Sequence, residues 1–215
     1  AGVVYVVPPS SNAAIHEGRF VLVPAKPEVF PKPSINDFFI SLAAEFEEAA
    51  IGLILSGTGS DGTAGLRAIM AAGGMTLVQD PATAKYDGMP RSAIEAGVAD
   101  RVLKPEDVGN ELGKLATVQK LIASSEEEHR IPGTLLELLQ ERKGVDFSGY
   151  KSGTLSRRMR RRMVATGNTT PDEYTAFVTG TPEELDVLAR DILISVTAFF
   201  RDITAFDTLR SHVEE

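Results

Sequence analysis

IGLILSGTGSDGTAGLRAIMAAGG (residues 51–74) reads as a short apolar strand over 51–56, a glycine-rich turn over 57–62, and a helix. Such a turn lies at the carboxyl end of its strand, where open α/β sheets place their ligands. Gly57, Gly59 and Gly62 let the backbone take tight or positive-φ geometry and be approached closely. Asp61 is the one carboxylate in the turn, and it marks the candidate chemistry of this half of the chain.

Working outward, Met75 opens a second strand over 75–79, after Gly73-Gly74 has ended the helix. Gly88-Met89-Pro90 opens a short helix, 98–103 is a further strand, and Pro105 opens a helix to about residue 121. Upstream, 3–7 is a β-branched and aromatic run that reads as a strand, and Glu17-Gly18 joins 13–16 to 19–23 as a hairpin. The proline-rich segment 24–33 is an extended loop, and Ser34-Ile-Asn-Asp37 starts a helix in capping-box style. Alternating strands and helices imply a mainly parallel sheet with flanking helices.

The pattern changes after the polar stretch ASSEEEHR (residues 123–130), which reads as a linker. Beyond it only helical periodicity remains. One helix carries Leu135, Leu136, Leu138 and Leu139 and ends at Gly144; another spans about 150–165 before Gly167. Thr170-Pro-Asp-Glu173 and Thr181-Pro-Glu-Glu184 are two near-identical helix starts, the last helix turning Leu185, Leu188, Ile192 and Leu193 inward. The expected fold is therefore α/β over 1–122, a linker over 123–130, a small all-α helical domain over 131–205, and a connecting segment over 206–215. Both ends read as cut from something longer.

Composition narrows the function classes. With 30 acidic against 22 basic side chains the net charge is −8, which opposes general binding to nucleic acid. No cysteine is present, so disulfides and thiol nucleophiles are excluded, and a reducing, cytoplasmic location is the expectation. His16, His129 and His212 stand far apart and make no metal-binding pair; no metal is expected. No apolar run reaches membrane-span length.

The turn also fits a rival reading. Gly57-Thr58-Gly59-Ser60-Asp61-Gly62 matches GxGxxG, and Asp80, 18 residues past Gly62, stands at the ribose-binding position of a dinucleotide fold. Against an NAD-dependent oxidoreductase, Asp61 puts a negative charge in the loop that would cradle pyrophosphate. Alternatively Asp61 is the orienting acid of a Ser-His-Asp hydrolase, for which the chain offers no convincing serine or histidine. Arg157, Arg158, Arg160, Arg161 and Arg162 crowd one helix, with Arg157/Arg161 and Arg158/Arg162 four apart. The readings for this run are a solvated face, nucleic acid, or an acidic protein helix; aromatics for base stacking are missing from it.

The wording of several stretches resembles known families. LILSGTGSDGTAGLRAIMAAGG and DPATAKYDGMPRSAIEAGVAD, with VVYVVPP and KPSINDFF upstream, resemble the CheB-type protein-glutamate methylesterase domain over residues 1 to about 115. The resemblance implies a Ser-His-Asp esterase acting on receptor glutamate methyl esters, with Asp61 as the triad acid. The family's serine and histidine fall on segments upstream of this sequence, so this piece is expected to be inactive alone. It also implies an active-site turn made of Gly57, Thr58, Gly59 and Gly62, where Thr58 replaces a methionine common in stand-alone members. The arginine-rich helix and VTAFFRD resemble the N-terminal helical domain of CheR-type methyltransferases over roughly 131–205. That resemblance implies S-adenosylmethionine as the methyl donor, with Thr197 and Arg201 near the cofactor or substrate carboxylate; Ser195 stands where many members have asparagine. It further implies that Arg157, Arg158 and Arg161 dock on an acidic helix of a chemoreceptor-like protein. A CheB–CheR fusion fragment is the leading expectation, a non-catalytic docking module the alternative.

Overall fold

The computed structural model describes residues 3–9, 11–24, 33–124, 130–147 and 149–194. β1 (Ser11–His16) and β2 (Arg19–Pro24) form an antiparallel hairpin with His16 opposite Arg19. Glu17 and Gly18 both have positive φ, as a two-residue hairpin turn of the right twist requires. The strand expected over 3–7 does not form. Val3, Val4, Tyr5 and Val6 are 63%, 88%, 65% and 84% exposed. Their β-branched composition favours extended backbone, but no described strand pairs with them. Tyr5 stacks instead on Phe20, with ring centroids 5.2 Å apart.

α1 (Ile35–Phe46) starts where Ser34 accepts a hydrogen bond from the Asp37 amide, but the expected capping box is only half made, because the Ser34 amide donates to Asn12 Oδ1 and not to Asp37. Its far end holds the hairpin tip, since the Glu45 carboxylate accepts the amides of Glu17 and Gly18 at 3.0 and 3.1 Å.

β3 (Ile51–Ile54), α2 (Thr63–Ala72), β4 (Met75–Gln79), α3 (Gly88–Glu95), β5 (Arg101–Leu103) and α4 (Val108–Ser124) then alternate along the chain. The three strands make a parallel sheet in the order β3-β4-β5. Every residue of β4 is buried, as a central parallel strand covered on both faces must be. β5 is shorter than its apolar run because Gly97 takes a positive-φ turn and residues 98–100 lead in without pairing as strand.

The helical half contains α5 (Gly133–Lys143), α6 (Ser152–Thr166), α7 (Pro171–Gly180) and α8 (Pro182–Ile194). Leu185, Leu188 and Ile192 recur three and four apart and fill the buried stripe of α8. Leu193, one residue further round, is 38% exposed and does not belong to it. The two matched helix starts diverge. Glu173 closes a capping box with Thr170, whereas Glu184 turns inward to the Arg162 guanidinium at 2.7 and 3.0 Å.

Two cores result. One joins α1, α2 and α3 to the sheet through Phe39, Ile54, Leu66, Ile69, Val78 and Ala93. The other runs from Met75 and Leu77 of β4, through Leu115 and Ile122 of α4, into the helical half at Leu139, Phe147, Met159 and Leu188. The chain therefore changes character at the linker without a break in its packing.

The arginine run seals that junction. Arg158 and Arg161 are 1% and 2% exposed, which removes the solvated-face reading and places two of the arginines expected to dock on a receptor in the junction instead. The Arg158 Nη groups donate to the carbonyls of Met70 and Ala71, and Arg161 Nε to that of Gly74, all at the carboxyl end of α2. Cations are favoured there by the helix dipole and by carbonyls that lack the amide of a continuing helix. Arg161 also pairs with Asp100 at 2.6 Å and with Asp191, while Arg162 reaches Asp100 at 3.2 Å. In return, Arg101 of β5 donates to the Ala165 carbonyl near the end of α6. Burial opposes the charge on Arg162, but its bonds to Glu184 and the negative charges of Glu184, Asp191 and Asp100 together outweigh that and raise its pKa. Burial likewise lifts the Asp191 carboxyl against the pull of Arg161 and Arg162.

Asp100 is the hub, its side chain 2% exposed and its carboxylate also accepting from the amide and hydroxyl of Thr76 at 2.9 and 2.8 Å. Asp100→Ala takes from Arg161 and Arg162 the carboxylate they share, leaving Asp191 and Glu184 to them, and lowers stability by about 3 kcal/mol. In urea denaturation followed by circular dichroism, both halves move to lower urea in one transition. At the surface, hydrogen bonds from Arg142 and Lys143 of α5 hold the Asp186 carboxyl of α8 well below its ordinary pKa. A depressed folded-state pKa means stability that is full above about pH 4 and lost as pH falls. Asp186→Asn therefore removes part of the acid limb of a stability–pH profile by lowering its neutral plateau slightly toward the acid end.

Candidate functional site

The turn between β3 and α2 is fixed from both sides. Gly57 donates its amide to the Tyr86 carbonyl and accepts from the Met89 amide, both at 2.9 Å. Ser56 is held by Gln79, whose side-chain oxygen accepts the Ser56 amide at 2.8 Å. Thr58, Gly59 and Ser60 line the open side of the turn, and no hydrogen bond among the described residues engages the amides of Thr58 or Gly59.

Asp61 is 8% exposed and faces the start of α1. Its Oδ2 accepts the Ile35 amide at 2.8 Å; its Oδ1 accepts the Asn36 amide at 3.1 Å and the Gly62 amide at 3.0 Å. The exchange is mutual. Asn36 Oδ1 accepts the amides of Gly62 and Gly65, at 3.0 and 2.8 Å, at the start of α2. Each helix thus has its first amides satisfied by a side chain belonging to the other.

Such an arrangement needs the helices close together. A Cβ on Gly65 would lie 2.5 Å from the Phe39 Cβ and 3.2 Å from the Asn36 backbone, so only glycine fits there. Gly62 has φ +91°, and a Cβ on it would strike Ile54. Asn36 was not among the sequence-predicted residues. Its signal was its place in Ser34-Ile-Asn-Asp37, two residues into a helix, where an amide side chain can cap a neighbour as readily as its own helix.

This geometry removes the dinucleotide reading. The amides that would meet a pyrophosphate at the start of α2 already bond Asn36, and a carboxylate sits among them. Asp80, expected at the ribose, instead caps a single turn by accepting the Ala82 amide at 2.9 Å.

A carboxylate offers about four acceptor directions. Three on Asp61 are taken by amides, which fixes its orientation and leaves one direction on Oδ2 for a further donor. A histidine Nδ1–H is the donor that a hydrolase triad requires. His16 cannot supply it. It is exposed at the hairpin tip, which Glu45 anchors ten residues along α1 from Ile35, about 15 Å of helix away. His129 and His212 lie outside the described residues, as do Thr197 and Arg201. Of the predicted docking arginines, Arg158 and Arg161 are buried at the carboxyl end of α2, and Arg157 is half-buried beside Gly73. The helix α2 runs between the turn and the arginines. Among the described residues no cluster of potential metal ligands occurs, and no helix is long and apolar enough to cross a membrane.

Asp61→Ala leaves the Ile35 and Asn36 amides without their acceptor and costs about 1–3 kcal/mol in denaturant unfolding. Asp61→Asn keeps an acceptor oxygen and costs less, so the Asn variant separates a chemical role from the capping role.

Residues 1–112 match the family model described as CheB methylesterase, and residues 133–193 match that of the CheR methyltransferase all-alpha domain. An uncharacterized 104.1 kDa protein of Rhodobacter capsulatus is 35% identical over 99% of this chain, which covers 25% of that protein. A protein-glutamate methylesterase/protein-glutamine glutaminase of Moorella thermoacetica is 46% identical over 40% of the chain and 20% of its own length. Its counterpart in Geobacter sulfurreducens is 38% identical over 53% of the chain and 33% of its own length. The chain thus spans a third or less of these relatives. The crystal structure of the Thermotoga maritima CheB methylesterase catalytic domain aligns with a TM-score of 0.46 at 28% identity, over 50% of this chain and 58% of that one. By the match over its first 112 residues the chain belongs to the CheB methylesterase family, and a CheR N-terminal all-alpha domain follows the methylesterase domain at 133–193.

Proposed function

We propose that this chain is the junction of a receptor-modifying protein that removes and adds methyl groups on glutamate side chains of a chemoreceptor-like signalling protein. The observation that carries the hydrolytic half is the Asp61 carboxylate, pinned by three amides with one acceptor direction left. In this reading Asp61 holds a histidine in the tautomer that takes the proton from a serine hydroxyl, and stabilises the imidazolium that forms. The serine and histidine come from segments other than the described residues. Thr58 and Gly59, in the turn that follows β3, flank the reacting ester with Gly57 and Gly62 shaping the turn.

The methyltransferase half rests on the family match at 133–193. S-adenosylmethionine would supply the methyl group to a glutamate carboxylate. Thr197 and Arg201 are assigned to the cofactor or the substrate carboxylate by resemblance alone, and Arg157, Arg158 and Arg161 to an acidic receptor helix. A cytoplasmic location belongs to the same proposal.

The test uses a natural protein that contains this stretch together with the segments bearing the serine and histidine. Asp61→Asn lowers its hydrolysis of receptor glutamate methyl esters by roughly 10⁴-fold, the loss seen when a triad acid becomes its amide. Full hydrolysis by the Asn variant overturns the assignment of Asp61.

A further inference from the structure

The arginine helix α6 meets a particular surface of the methylesterase half. That surface consists of the carboxyl end of α2, with the carbonyls of Met70, Ala71 and Gly74, together with the carboxylates of Asp100 and Glu48. It is electronegative throughout, combining carboxylates with the negative end of a helix dipole. Contact is close. A Cβ on Gly73, which ends α2 at φ +97°, would lie 2.9 Å from the Glu48 side chain and 3.2 Å from that of Arg157. Glu48 closes the rim by pairing with Arg160 at 2.7 Å. The helical half supplies Asp191 and Glu184 for Arg161 and Arg162, whereas the Arg158 Nη groups and Arg160 turn to the other half.

We propose that the methylesterase half occupies the arginine face of the helical half as an acidic helix would, so that an external acidic helix and the methylesterase half compete for it. The proposal rests on the reading above that these arginines dock on an acidic helix, and adds that they are masked until the halves part. Guanidinium forks suit both occupants, since each offers carboxylate or carbonyl oxygens in pairs. An arriving helix would have to provide carboxylates for Arg158 and Arg160 to replace what it displaces. Weak docking on the closed chain and strong docking on an opened one follow.

The chain has no cysteine, so a pair can be introduced cleanly. Glu48→Cys with Arg160→Cys places two thiols at the rim, to be joined by a short bismaleimide or capped singly with N-ethylmaleimide as the control. The probe is a fluorescein-labelled helical peptide of Glu/Ala repeats, read by anisotropy. The pair joins in high yield, excess peptide suppresses the joining, the capped protein binds peptide through Arg158, Arg161 and Arg162, which both forms keep, and the joined protein binds at least ten-fold more weakly. Separately, Glu48→Lys in the otherwise unchanged chain puts a like charge beside Arg160 and tightens peptide binding several-fold. Equal binding by joined and capped proteins overturns the masking, as does failure of the thiols to join. Efficient joining with no peptide binding, even in Glu48→Lys, instead overturns the docking reading on which the competition rests.

Discussion

A guanidinium removed from water must be given oxygen atoms in nearly every donor direction, and this requirement shapes the junction of the two halves. Arg161 is 2% exposed and is satisfied by Asp100 and Gly74 from the α/β half and by Asp191 from the helical half. Neither half alone offers the full set. Isolated apolar packing could join two domains at many angles, but charge pairs tolerate few. The buried arginines therefore set the register at which α6 crosses the end of α2, and the shared core of Met75, Leu77 and Leu139 fills in behind them.

At the other end of α2, the same demand for acceptors appears in smaller form. Asp61 and Asn36 exchange caps between two helices, so the turn after β3 is shaped by its neighbour as much as by its glycines. A carboxylate already bonded to three amides does not rotate to suit a partner. Any histidine that meets it must approach along the one direction left, which is how a positioned acid differs from a merely nearby one.

Much of this was legible in the residues. Strand, turn and helix over 51–74 follow from an apolar run, clustered glycines and a helical repeat, each a local property. The hairpin at Glu17-Gly18 and the cap at Ser34 are local too. Three things were not. The run at 3–7 has strand composition, but pairing is decided by what lies alongside, and no described strand does. The arginine run leaves a solvated face and a docking surface both open because sequence gives the charge and not the oxygens that will surround it; Asp100, Glu184 and Asp191 lie between 22 and 62 residues away. Asn36 reads as an ordinary helix residue because its partners, Gly62 and Gly65, are 26 and 29 residues distant.

The central strand β4 carries a consequence for anyone dividing this protein. Its Val78 belongs to the core beneath α1, α2 and α3, whereas Met75 and Leu77 belong to the core that continues into the helical half. The polar stretch at 123–130 marks a boundary in sequence but not in space. A cut there would open a sheet face on one fragment and strand Arg158 and Arg161 on the surface of the other, each fragment carrying an exposed patch made for its missing neighbour. The sensible unit to express, crystallise or transplant is the pair.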